Sequence, residues 1–296
     1  MIALKAYATH MFVAISLLSA AVPSPAQEVT SASQPAAQSV ATAEPVNNPD
    51  LIEANPSRPS NSHSADLLTP GLLQAEYGFF REWERDSTLQ DALGGELRFG
   101  ISRNLEFRWG GNLLLCDQFP ASQSCSLGDQ IFTGEYHLRN QSAHFPAIAA
   151  SYAIKVPTAN DVRGLGTGAV DNSFTLLASK QVQKFVVDLN LSYQLIGQPA
   201  AGGHDQNAVV FLTVSHSLYG PLTFVAELDG YSRLNAQMPA YASTVWALSW
   251  KVHRRVALDA GVLPGITSAA PHKRVSFGVT YAIANLYPGH RVSGKG

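Results

Sequence analysis

Charge is what this sequence has least of. Lys, Arg, Asp and Glu make up 14% of its 296 residues, where about 25% is usual for a soluble globular protein. With 20 Lys and Arg against 22 Asp and Glu, the formal charge is −2, and no basic stripe marks a nucleic-acid partner; none is expected. Cysteine is nearly absent as well. Its 2 residues, Cys116 and Cys125, have no nearby His or second Cys pair to complete a usual metal-ligand set, so neither a metal nor a cofactor is expected. Long apolar runs are missing after the first segment, which excludes membrane-spanning helices there and leaves a closed barrel as the only route across a bilayer. The mean hydropathy of +0.01 does not decide the matter, because a barrel's polar and apolar faces cancel in the average.

The first 26 residues carry one basic residue, Lys5, an apolar run from Met11 to Val22, and the small residues Ser24 and Ala26 before Gln27. That is the layout of a secretory signal peptide cleaved after Ala26. The apolar core is shorter than the roughly 20 residues a helical anchor needs. In an exported chain, two cysteines separated by Asp117, Pro120, Ser124 and other loop-type residues read as a disulfide stapling one loop. Residues 27–68 are rich in Ser, Ala, Pro, Gln and Asn and hold too little apolar surface to order themselves. They are expected to form a disordered, flexible periplasmic leader; an irregular plug inside a barrel is the competing account.

From Leu72 onward, segments of about ten residues alternate apolar and polar side chains between Gly, Pro, Asn and Asp clusters, the pattern of strands with unlike faces. The clearest places Phe185, Val187, Leu189, Leu191, Tyr193 and Leu195 opposite Val186, Asp188, Asn190, Ser192 and Gln194. The pattern predicts strands near residues 72–82, 91–101, 104–115, 128–139, 146–156, 171–181, 184–196, 207–218, 221–231, 243–253, 255–263 and 273–284. Short links (Ser102-Arg103, Gln181 to Gln183, Tyr219-Gly220, Arg254) mostly alternate with long ones (Cys116 to Ser126, Pro157 to Val170, Gly197 to Gln206, Ser232 to Ala242, Pro264 to His272), as in bacterial outer-membrane barrels. A soluble β-sandwich also alternates, but with shorter strands and a more charged outer face. Aromatics near strand ends, Tyr77, Phe79, Phe80, Trp83, Trp246 and Trp250, suit interfacial girdles. The expected fold is all-β: an antiparallel transmembrane β-barrel of about 12 strands over residues 69–285, with residues 286–296 as a C-terminal tail.

Several pieces, taken in order, resemble a known family: Leu127-Gly128-Asp129 opening a strand that ends Tyr136-His137-Leu138-Arg139, then Lys155-Val156-Pro157-Thr158, then Ala178-Ser179-Lys180 followed by Leu189-Asn190-Leu191-Ser192-Tyr193. Together they resemble the outer-membrane transporter-like family of the meta-pathway of phenol degradation. The resemblance covers most of the chain after Leu72. It departs at Ala159, where the family has glycine after Pro-Thr. It implies a barrel in the bacterial outer membrane that takes up small aromatic or other hydrophobic solutes, and no catalytic residues come with it. The outer-membrane lipids, the barrel-assembly machinery and a small-molecule solute are the partners such a protein needs.

In such a barrel Glu96, Arg98, Glu106, Arg108, Glu135, His137, Lys155, Asp188, Asn190, Glu227 and Asp229 face the lumen, with Glu76, Lys251 and Asp259. They form either a constriction that selects solute charge or a structural network filling a narrow interior, where buried charges must be paired. The second reading is favoured, because small barrels are filled by their own side chains. A channel is the leading function, ahead of a structural or adhesive barrel without an open path. An outer-membrane hydrolase is disfavoured, because His216 alternates with Ser215 and Ser217 and cannot share a face with either. The glycines Gly164, Gly166 and Gly168 lie in a loop that leads into a strand, not a helix, so they are read as external loop flexibility and not as a phosphate loop.

Overall fold

A computed structural model describes residues 52–119, 122–198, 202–235 and 238–287. Among them are strands β1 (Leu72–Trp83), β2 (Leu89–Gly100), β3 (Leu105–Phe119), β4 (Ser122–Ser126), β5 (Gln130–Arg139), β6 (Ala147–Val156) and β7 (Asp171–Val182). They continue with β8 (Phe185–Gly197), β9 (His204–Tyr219), β10 (Leu222–Tyr231), β11 (Tyr241–His253), β12 (Val256–Pro264) and β13 (Lys273–Asn285). Every pairing is antiparallel, and β1 bonds to both β2 and β13, from Leu72 opposite Asn285 to Trp83 opposite Lys273. The sheet therefore closes on itself with no free edge, and all strands except β4 form its wall. This is the antiparallel barrel of twelve strands that the alternating pattern predicts. Residues 1–51 and 288–296, which hold the expected signal peptide, most of the leader and most of the tail, lie outside the described residues.

The alternation of side chains is inverted relative to a soluble protein. In β12 Ala257, Asp259 and Leu263 are buried while Leu258 and Val262 are exposed. In β10 Glu227 and Asp229 are buried and Leu228 is exposed. Leucines outside and carboxylates inside require an apolar solvent around the wall and paired polar groups within it. Aromatic pairs tile the outer surface across strands, such as Trp109 with Phe132 at 6.3 Å and Phe224 with Trp246 at 6.1 Å.

The end where β1 begins and β13 finishes carries short turns, residues 101–104, 140–146, 183–184, 220–221 and 254–255, and the other end carries the longer loops. Three expectations need correction there. The segment from Cys116 to Ser126 is not a plain loop: β3 runs on to Phe119 and pairs with β4, with the bonded Cys116 and Cys125 directly opposite. Residues 157–170 fold inward, with a single 3-10 turn at Asp161–Arg163 capped by the Asn160 side chain, and bury Leu165 against Phe80, Ala92 and Leu115. Phe80, expected in an interfacial girdle, accordingly faces the interior, because its neighbours Tyr77 and Phe79 on alternate positions face out.

The largest correction concerns the leader. Its described part, residues 52–68, lies inside the barrel. Ala54 donates its backbone N–H to Arg254 O at 2.7 Å, and the Leu68 N–H reaches the carboxylate of Glu106 at 2.7 Å. A Ser- and Asn-rich chain cannot fold on apolar burial, but it can be ordered by a wall that offers buried acceptors.

Candidate functional site

The interior is built by residues two apart on each strand, so the spacing that keeps Leu and Phe outward brings polar residues from different strands together. All eleven sequence-derived candidates, and Glu76, Lys251 and Asp259 with them, point inward. Two arginines on adjacent strands organise the first cluster. Arg98 bridges Glu106 and Glu76, both at 2.8 Å, and Arg108 meets Glu135 at 3.0 Å. Glu96 lies 3.9 Å from Arg98 and 4.0 Å from Arg108, between the two. Glu76 and Glu106 are completely buried and Glu135 nearly so. Four carboxylates around two guanidinium groups leave an acidic excess, which hydrogen-bond donors have to offset.

Residues 54–68 supply those donors by winding around the inner wall. Backbone N–H groups of Ser57 and Arg58 and the Ser57 hydroxyl donate to Glu76. The Asn55 N–H donates to Gln74. Arg58 then crosses to Asp259 at 3.2 Å. Its guanidinium lies flat over two facing glycines, where a Cβ on Gly278 would come within 2.5 Å of Nε and one on Gly78 within 2.3 Å of Nη2. The Asn61 and Ser62 N–H groups donate to the two oxygens of Glu227, and Asn61 Nδ2 donates to Asp229 at 2.9 Å. His63 exchanges two hydrogen bonds with Asn190, both at 2.8 Å. Ala65 N–H reaches Ser179, whose hydroxyl donates to Asp188. His137 Nδ1 contacts Ala65 O at 2.7 Å and Nε2 contacts Asn140 at 2.7 Å.

Sequence reasoning locates the wall side of this arrangement and misses the inner partner. Arg58, Asn61, Ser62 and His63, with Gln74, Ser179 and Thr213 on the wall, are not among the candidates. The available signal is complementarity: the run Asn55 to Ser64 is dense in donors and holds one cation, and the wall strands carry more acids than bases. Glu227 and Asp229 have no cation partner among the described residues, and only donors from the inner segment, Thr213 and Ser243 serve them.

His63 also approaches the charged cluster, with Nδ1 3.9 Å from Glu96. Burial, then the guanidinium groups of Arg108 and Arg98, hold its imidazole well below the ordinary value, so it is neutral in the docked segment.

Lys155 stands apart from this network, at the long-loop end, where it bridges Asp129 at 2.9 Å and Asp171 at 2.6 Å and donates to Thr167. It anchors residues 157–170. On strands β9 to β11 the interior turns aromatic: Tyr231 stacks on Tyr241 at 4.3 Å and Phe211 meets Tyr231 edge-on at 5.8 Å. Arg274 covers Phe80 at 4.5 Å and pairs with Glu82 at 2.8 Å. On the short-turn side, a cavity of about 260 Å³ lies between the inner segment and strands β8 to β11, lined by Ser62, Asp188, Thr213, Thr223 and Lys251. The interior thus mixes aromatic rings with the Lys155 and Arg274 ion pairs toward the loops, is ionic at the inner segment, and combines hydroxyls with Asp188 and Lys251 toward the turns.

His216 faces outward, its ring 4.5 Å from that of Phe185. Ser215 and Ser217 lie on the opposite face, so no proton relay forms among the three.

No family model matches the sequence, and no curated protein matches it. Solved structures share its fold. An outer-membrane channel from Pseudomonas putida F1 is 12% identical and superposes with a TM-score of 0.59 over 75% of this chain and 99% of its own. The porin NanC is 9% identical, with a TM-score of 0.51 over 71% of this chain and 100% of its own. The chain is therefore a β-barrel of the outer-membrane channel and porin fold. The likeness extends to architecture and not to a shared solute.

Proposed function

We propose that this barrel is a channel of the bacterial outer membrane for small solutes, exported by its signal peptide and inserted by the barrel-assembly machinery, with its short turns in the periplasm. The observation that carries the reading is the closed wall with an apolar outer surface around a polar, partly hollow interior. Both strand termini lie at the short-turn end, as in outer-membrane barrels generally. The aromatic and other hydrophobic solutes implied by the family resemblance fit the upper interior, where Phe211, Tyr231 and Tyr241 would meet them. The candidate charges then act mainly as the wall to which residues 54–68 are fastened, and the path past that segment sets what can pass.

A specific observation also favours a barrel with no standing pore: the inner segment is held by hydrogen bonds from many strands around the wall. Planar-bilayer conductance separates the two readings. A channel gives discrete steps, larger when residues 52–66 are deleted, and solute added to the loop side alters them. A protein that inserts, shows a heat-dependent gel shift and gives no steps in either form would be a structural barrel.

A further inference from the structure

The five turns at the end where β1 starts and β13 finishes contain Arg103, Lys184, Arg254 and Arg255 and not one Asp or Glu. The loops at the other end mix Glu84, Asp86, Asp129 and Asp161 with Arg85, Arg163 and Arg233. The asymmetry is not spent on internal pairing. Arg103, Lys184 and Arg254 are exposed and have no ion-pair partner among the described residues. Arg139, at the end of β5, is also exposed and lies over the exposed Phe145 ring at 4.2 Å.

Between the β7–β8 and β9–β10 turns the rim opens into a cleft of about 620 Å³. Gln181, Val186, Ser215, Ser217 and Thr223, on the inner face of their strands, line it with Lys184, Leu218 and Tyr219, so it opens on the lumen. Tyr219 is 86% exposed and Leu218 54%, an apolar lip that water alone does not favour. An exposed cation suits a phosphodiester, and the exposed leucine and aromatic of the neighbouring turn suit the glycerol and the first acyl carbons.

We propose that this rim binds the headgroups of anionic glycerophospholipids in the leaflet it faces, through the exposed bases spread along its turns and the Leu218–Tyr219 lip. The proposal rests on the reading of the barrel as a membrane channel whose short turns face the periplasm. Charge complementarity favours lipid over a free anion: the bases are spread around the whole circumference at strand-end depth, where a leaflet surrounds the wall, and do not converge on one point. A clustered site for a soluble anion would need convergence.

The test uses the full chain in nanodiscs of phosphatidylethanolamine with phosphatidylglycerol, and counts by native mass spectrometry the lipids each barrel keeps in detergent. Phosphatidylglycerol should be retained about five-fold over its share of the bilayer, and the enrichment should fade as salt is raised. Lys184→Gln with Arg254→Gln should bring retention to parity while leaving the heat-dependent gel shift unchanged. Equal retention of the two lipids by the native protein would overturn the proposal, as would enrichment that survives the double substitution. Displacement of phosphatidylglycerol by inorganic phosphate at matched concentration would make this a free-anion site and overturn it too. Loss of the gel shift in the native protein would instead remove the membrane reading on which the surface depends.

Discussion

At the scale of single residues, the arginines at the centre of the wall have more consequence than their number suggests. Replacing Arg98 with Gln strands Glu76 and Glu106, both fully buried, and breaking such a pair typically costs about 3–5 kcal/mol. The urea midpoint in lipid vesicles should fall accordingly, and Arg98→Gln with Glu106→Gln should lose less than Arg98→Gln alone, because one stranded carboxylate has gone. His63 predicts a pH dependence with a definite sign. Its value is lowered in the docked segment, so docking is fully favoured above the free histidine value of about 6.5 and weakens as pH falls below it. The opening of residues 55–65, read as amide exchange relative to the intrinsic rate at each pH, should rise from pH 7.5 to pH 5.5 more in the native protein than in His63→Gln; an equal rise in both would refute it. Gly278 offers a cleaner lever on the same segment, since the atoms nearest to where its Cβ would stand all belong to the Arg58 side chain. Gly278→Ala should displace Arg58 from Asp259 and raise conductance, Arg58→Ala should do the same, and the two together should not add. Gly134→Ala, with nothing near the place its Cβ would take, should change nothing.

At the scale of elements, β3 is the strand that serves three partners, with β2 along one edge and two more strands sharing the other. Its first half pairs with β5 as far as Gly111 opposite Gln130, and its last third pairs with β4. The Cys116–Cys125 bond closes a loop of 9 residues, which stabilises the hairpin by about 3 kcal/mol on chain-entropy grounds. With both cysteines changed to Ser, the β3–β4 hairpin should become protease-sensitive while the barrel keeps its heat-dependent gel shift. If the whole barrel unfolds instead, the hairpin is part of the wall's stability and not an appendage. Strand positions are legible because period two is a local signal: alternation ends β1 at 82 and the strand ends at Trp83, and it ends β7 at 181 where the strand ends at Val182. β4 is not legible. Ser122 to Ser126 carries no apolar alternation, and it is a strand only because β3 presents free backbone groups beside it.

At the scale of the whole molecule, wall and inner segment depend on each other. The wall holds more buried carboxylates than cations, and residues 54–68 bring backbone N–H groups, hydroxyls and Arg58 to those acceptors. Removing residues 52–66 should therefore both raise conductance and lower stability, a pairing that a freely hanging leader would not give.

The sequence by itself determined the barrel. Side-chain alternation, strand length and the lack of charge and long apolar runs are properties of neighbouring residues, and they were enough to set which residues face in, from Glu96 on β2 to Asp229 on β10. Only the tertiary structure decided what those residues face. A Ser- and Asn-rich segment carries no periodicity, so nothing local distinguishes one that hangs free from one that threads a lumen. Its order comes from acceptors on strands as distant in sequence as Asn190, Glu227 and Asp259, and those converge only when the sheet has closed.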